Sequence, residues 1–158
     1  MYIILTKNQK QRGNSSMATV HDVAQYILDH AADMSTWKLQ KLVYYSQAWH
    51  LVWVDKPLFE ETIEAWANGP VSPSLYEKHK GCFTVSSIHC GNSELLTEDE
   101  RETVDKVIAY YQQYNGQQLS DLTHAETPWM KAREGMAYNE RGKVEITKES
   151  LAEYYGSL

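Results

Sequence analysis

Cysteine is nearly absent: Cys82 and Cys90 are the only two in 158 residues. That is too few for a disulfide framework, so packing must hold the fold, and a reducing, cytoplasmic setting is the expectation. Basic residues are in deficit, 15 Lys and Arg against 21 Asp and Glu, for a formal net charge of −6. Such a chain has no general basic surface with which to displace counterions from a phosphate backbone, and direct nucleic-acid binding is not expected. An acidic body has two readings, steering of a basic partner or simple solubility. No apolar run is long enough to span a membrane. The stretch from Met1 to Leu5 is short and precedes its positive charges, the reverse of a secretory signal. Also missing are a nucleophile elbow, a glycine-rich phosphate loop and a zinc-protease helix motif, so no enzyme signature is present and no cofactor is implied.

What is present is the pattern of one folded, mainly helical unit, with 42% hydrophobic and 23% charged residues. Residues 1–16 are polar beyond Leu5, end in Gly13-Asn14-Ser15-Ser16, and read as a leader; a tail, an expression remnant and an upstream start codon all fit. The domain proper is expected over 17–156. Thr19 and Asp22 resemble a capping box ahead of Val23, Tyr26 and Ile27 at helical spacing. Ser35 or Thr36 caps a second helix whose stripe is Leu39, Leu42, Val43, Ser46, Trp49 and Trp53, closed by Asp55-Lys56-Pro57. A short strand is expected over 62–67, then Asn68-Gly69-Pro70 as a turn, with Ser72-Pro73 starting a short helix that stops at Gly81. Thr97 and Glu100 form a capping box for a helix running to Asn115-Gly116. Leu119 to His124 is a further short helix, Thr127-Pro128 opens another, and Thr147 caps the last. Lys143 to Ile146 suggests a strand pairing with the segment from Ile63 to Trp66. The architecture is a single helical domain of about five to six helices with room for one two-stranded β element.

Three blocks carry a family resemblance. The first runs Trp37-Lys38-Leu39-Gln40-Lys41-Leu42-Val43-Tyr44-Tyr45-Ser46-Gln47-Ala48-Trp49-His50-Leu51. The second is Glu64-Ala65-Trp66-Ala67-Asn68-Gly69-Pro70-Val71-Ser72-Pro73-Ser74-Leu75-Tyr76, and the third is Leu119-Ser120-Asp121-Leu122-Thr123-His124-Ala125-Glu126-Thr127-Pro128-Trp129. Together they resemble the Panacea domain of SocA-like antitoxins and phage-associated proteins. The resemblance implies a protein without catalysis that neutralises a cognate toxin by direct binding. The alternative it implies is an adaptor that delivers the toxin to a cytosolic AAA+ protease. Some relatives add a DNA-binding domain, for which this chain leaves no room.

Two constellations invite chemistry. His79, Cys82, His89 and Cys90 are soft or borderline ligands, and a small metal-dependent enzyme is the reading they offer; their spacing is not that of a zinc finger, and no metal is expected. The tyrosine and tryptophan excess, 11 and 5 against 2 phenylalanines, suits residues that want one apolar face and one polar contact, as at binding hot spots. Trp37, Tyr44, Gln47 and Trp53 lie off the second helix's stripe or at its ends. With Trp66, Asn68, Gly69, Pro70 and Tyr76 around the turn, they form the expected partner-binding surface. His50 and His124 are expected to satisfy backbone carbonyls.

Overall fold

Helices begin in this chain where a side chain can answer the unpaired amides of a first turn. The computed structural model describes residues 17–158, so the leader assigned to 1–16 lies outside the described residues. Thr19 accepts from the Asp22 amide while the Asp22 carboxylate accepts from the Thr19 amide, starting α1 (Val20–His30). Ser35 caps α2 (Thr36–Val54), which stops at Asp55 in the left-handed region, φ 61°. The same device starts α3 (Pro73–His79) from Ser72, α4 (Glu98–Tyr111) from Thr97 and α5 (Gly116–His124) from Asn115. Next come α6 (Thr127–Ala132), whose N-cap Glu126 makes no side-chain cap, and α7 (Lys148–Gly156), capped by Thr147. The described residues are 55% helical, in seven helices with two small two-stranded antiparallel sheets.

Helix α2 is the axis of the molecule. It packs against α1, α4, α5 and α7 and against the sheet beside it, and Leu39, Leu42, Val43, Tyr44, Tyr45 and Ala48 are all buried. A helix enclosed on most sides needs no polar face, and each buried leucine on it is worth roughly 1.5–3 kcal/mol of transfer free energy. Its two internal glutamines act as stand-ins for peptide groups. The Gln47 amide donates to the Phe59 carbonyl and accepts from the Leu58 amide, both at 2.7 Å; Gln40 makes the corresponding pair with Ser72, at 3.3 and 2.9 Å. Each pins a loop whose buried backbone groups would otherwise lack partners.

The sheets are small. Strands β2 (Glu64–Trp66) and β3 (Gly69–Val71) form a hairpin in which Trp66 pairs with Gly69. Strand β1 (Met34–Ser35) pairs with β4 (Thr84–Val85). That second sheet was not expected, because strands this short carry no alternation to read. The segment from Lys143 to Ile146 does meet β2, through the Glu64–Glu145 bridge and the Ala65–Val144 and Ile146–Ile63 hydrogen bonds, but β2's main partner is β3. The helix expected to reach Asn115-Gly116 ends at Tyr111, and Asn115 instead caps α5.

Half of the described tyrosines are internal: Tyr26, Tyr44, Tyr45, Tyr111 and Tyr155 are buried. Tyr45 and Tyr155 both donate to Glu126 Oε1, at 2.7 and 2.8 Å, and Tyr44 meets the Tyr155 hydroxyl at 3.0 Å. Since the Tyr155 proton is used on the carboxylate, Tyr44 must donate to Tyr155. Tyr45 stacks on Tyr111 at 4.1 Å, and the Trp49 indole donates to the Tyr111 hydroxyl at 2.9 Å. Burial raises the Glu126 pKa, and the two phenol hydrogen bonds oppose the rise. Tyrosine takes the place of phenylalanine here because a network of hydroxyls shares one carboxylate inside the core.

Candidate partner-binding cleft

A cleft of about 980 Å³ opens between the N-terminal half of α2, the β2–β3 hairpin and α3. Of the residues expected to bind a partner, it gathers Trp37, Trp66, Asn68 and Tyr76. Trp37 is 41% exposed at its edge, and Trp66 meets Tyr76 edge to face at 5.1 Å. Phe83, 82% exposed, stands on the same rim.

The other expected residues fall elsewhere. Tyr44 and Gln47 are 1% exposed, so they cannot touch a partner; one belongs to the tyrosine network and the other fastens the Leu58–Phe59 loop. Both had seemed peripheral only because the apolar stripe was drawn too narrow for a helix covered on nearly all sides. Trp53 is 47% exposed but does not line the cleft; it stacks on Trp49 at 5.2 Å, with the Lys106 amine 5.4 Å from its ring centre. Gly69 and Pro70 are buried within the hairpin. Gly69 has φ 117°, and a Cβ there would lie 2.6 Å from Lys41 Cε and 3.2 Å from Thr123 Oγ1. Backbone and packing both demand glycine at that turn.

The hairpin is gripped from beneath. Ser120 donates its hydroxyl to the Asn68 carbonyl, and the Trp129 indole donates to the Trp66 carbonyl at 2.8 Å. His124 stacks on Trp129 at 3.9 Å, and its Nε2 is buried with no hydrogen-bond partner among the described residues. Burial lowers its pKa, with Lys41 adding to the effect. Neither expected histidine bonds a carbonyl: His50 Nδ1 meets the Thr103 hydroxyl at 2.8 Å. Arg133, also buried, donates to the carbonyls of Ala65, Ala137, Tyr138 and Glu140, which fixes the loop leading to Arg141 and Lys143 on the cleft wall.

Sequence reasoning passed over Lys41. It lines the cleft yet is 2% exposed, and no acid among the described residues forms an ion pair with it. Burial pulls its pKa from 10.5 down to about 7. The available signal was a lysine between Trp37 and Tyr44, one turn from each on the face that faces inward. The proposed metal ligands do not converge: His79 is buried with its Nε2 3.0 Å from the Gln40 amide, and Cys82 and Cys90 are exposed. Among the described residues no three His, Cys, Asp or Glu side chains are grouped to hold a metal ion. No described helix is long and apolar enough to cross a membrane.

Comparison with known proteins places these blocks. The family described as "Antitoxin SocA-like, Panacea domain" matches residues 39–130, more than half of the chain. Antitoxin SocA of Caulobacter vibrioides (strain NA1000 / CB15N) is 30% identical over an alignment of 128 positions, gaps included, that takes in 68% of this chain and 66% of that protein. The chain thus spans just under two thirds of that relative's length. No solved structure matches the chain.

Proposed function

Since the chain belongs to the SocA-like, Panacea-domain family of antitoxins, we propose that it acts in the cytoplasm as the antitoxin of a toxin–antitoxin pair, holding its cognate toxin by direct contact and catalysing nothing. The observation that supports this reading is the cleft. Trp37, Trp66 and Tyr76 come together on fixed elements at its wall and edge, where rigid aromatic rings serve as anchors for a macromolecule. Nucleic acid has no part in the reading.

Co-expression with the toxin encoded beside it is the test. Rescue of growth and a stoichiometric complex on co-purification are expected, and Trp37→Ala should weaken the complex at least tenfold while Trp53→Ala leaves it intact. Equal loss from both substitutions would move the surface away from the cleft. Absence of both rescue and complex would end the antitoxin reading. Toxin half-life separates masking from delivery: a bound toxin outlives the free one, whereas delivery to an AAA+ protease shortens its life in a protease-dependent manner.

A further inference from the structure

Within an acidic chain the cleft is a local reversal of sign. Among the described residues its charged side chains are Lys41, Lys80, Arg141 and Lys143, with no Asp or Glu in its lining, although the chain as a whole carries −6. Three of these cations stand exposed at the mouth, Lys80 in a surface ion pair with Glu77 at 3.4 Å that a partner's carboxylate would share. The fourth, Lys41, is buried, faces the same space, and has no ion-pair partner among the described residues. Its charge bears on His79 and His124 and disfavours the charged form of each, so neither supplies a counter-charge. A buried amine without an anion is an unfavourable arrangement unless a ligand completes it.

We infer that the cleft receives an acidic segment of the partner protein, one of whose side-chain carboxylates seats against the Lys41 amine while Lys80, Arg141 and Lys143 meet others at the mouth. The assignment rests on the antitoxin reading for the identity of the partner, and on the cleft's own charge for the chemistry. Several cations around one space favour a segment with several side-chain carboxylates over a chain terminus, which offers one. The exposed rings of Trp37 and Phe83 suit apolar residues interleaved with those acids. The chain's own first sixteen residues hold Lys7, Lys10 and Arg12 and no acid, so they do not provide the anion.

The probe is a short synthetic peptide alternating glutamate and tryptophan, titrated into the full chain carrying ¹³C- and ¹⁵N-labelled lysine. Its glutamine counterpart and inorganic pyrophosphate serve as controls. The acidic peptide is expected to move the Lys41 resonance and raise its titration midpoint by at least one pH unit, and the glutamine peptide to do neither. Lys41→Met, and the exposed pair Arg141→Glu with Lys143→Glu, should each weaken peptide binding at least tenfold; the rim pair tests the idea independently, without altering the buried amine. An unmoved Lys41 resonance, equal binding of the glutamine peptide, a response to pyrophosphate alone, or full affinity in the rim variant overturns the assignment. Toxin capture separates the two readings. A toxin held equally by wild type and by the rim variant overturns the cleft assignment and leaves the antitoxin reading standing. Peptide binding with no toxin capture by wild type supports the cleft chemistry and removes the antitoxin reading.

Discussion

Replacing Lys41 with methionine keeps the length and apolar stem of the side chain and removes only the amine, so it isolates what that amine costs the fold. A pKa lowered from 10.5 to about 7 corresponds to about 5 kcal/mol disfavouring the charged form in the folded state. Because the folded state holds this proton less tightly than the unfolded chain, stability rises with pH between about 7 and 10.5, and the full penalty applies below about pH 7. Lys41→Met should therefore be more stable than wild type, by about 5 kcal/mol at pH 6 and roughly 2 kcal/mol at pH 9. For a chain of this size the difference between the two melting temperatures should shrink by roughly 6–12 °C over that interval. Thermal unfolding of both proteins at the two pH values measures it. A gap that does not change with pH, or a variant less stable than wild type at pH 6, would refute the account of Lys41 as an uncompensated buried amine.

Three further substitutions probe the supports of the cleft and the core. Glu126→Ala removes the acceptor shared by Tyr45 and Tyr155 and should cost about 3 kcal/mol in urea unfolding at neutral pH, with a loss below 0.5 kcal/mol contradicting the network. Gly69→Ala meets both an unfavourable φ of 117° and the Lys41 side chain and should cost at least about 2 kcal/mol; a neutral result would mean that the hairpin relaxes freely. Arg133→Met takes the guanidinium from the carbonyls of Ala65, Tyr138 and Glu140, while Ala137 keeps the Glu140 amide, for a loss of about 3 kcal/mol. Faster amide hydrogen exchange around 137–144 should accompany it, and unchanged exchange there would count against the clamp.

Much of the fold was legible because its signals are local. Thr19 with Asp22, Thr97 with Glu100, Ser35, Ser72 and Thr147 all cap where side-chain chemistry places them. Asn115 misled because Asn-Gly closes helices as readily as it opens them, and only the Gln118 side chain returning to the Asn115 amide decides between the two. The β1–β4 pairing depends on a contact between residues about fifty apart with two-residue strands, for which no periodicity exists. Trp37, Trp66, Asn68 and Tyr76 share one cleft, a grouping legible in part because the turn and the aromatics beside it are close in sequence. Lys41 was missed because charge on a sequence reads as surface, and its burial follows from how many elements crowd α2. The tyrosines were misjudged for the opposite reason: a hydroxyl that suits an interface suits an interior equally once Glu126 is there to accept it.

The Arg133 clamp has a consequence for how such a protein can change. Its guanidinium sits 5.3 Å from the Trp129 ring centre and, from the loop it holds, takes only main-chain oxygens, those of Ala137, Tyr138 and Glu140, besides that of Ala65. Every amino acid presents that oxygen, so the identities of the residues from 137 to 140 are not read by the arginine that anchors them. Mutations along this stretch can accumulate without loosening the anchor, and the neighbouring Arg141 and Lys143 can be exchanged from one lineage to another while the wall keeps its position. A scaffold fastened in this manner separates the part that must stay from the part that is free to diversify.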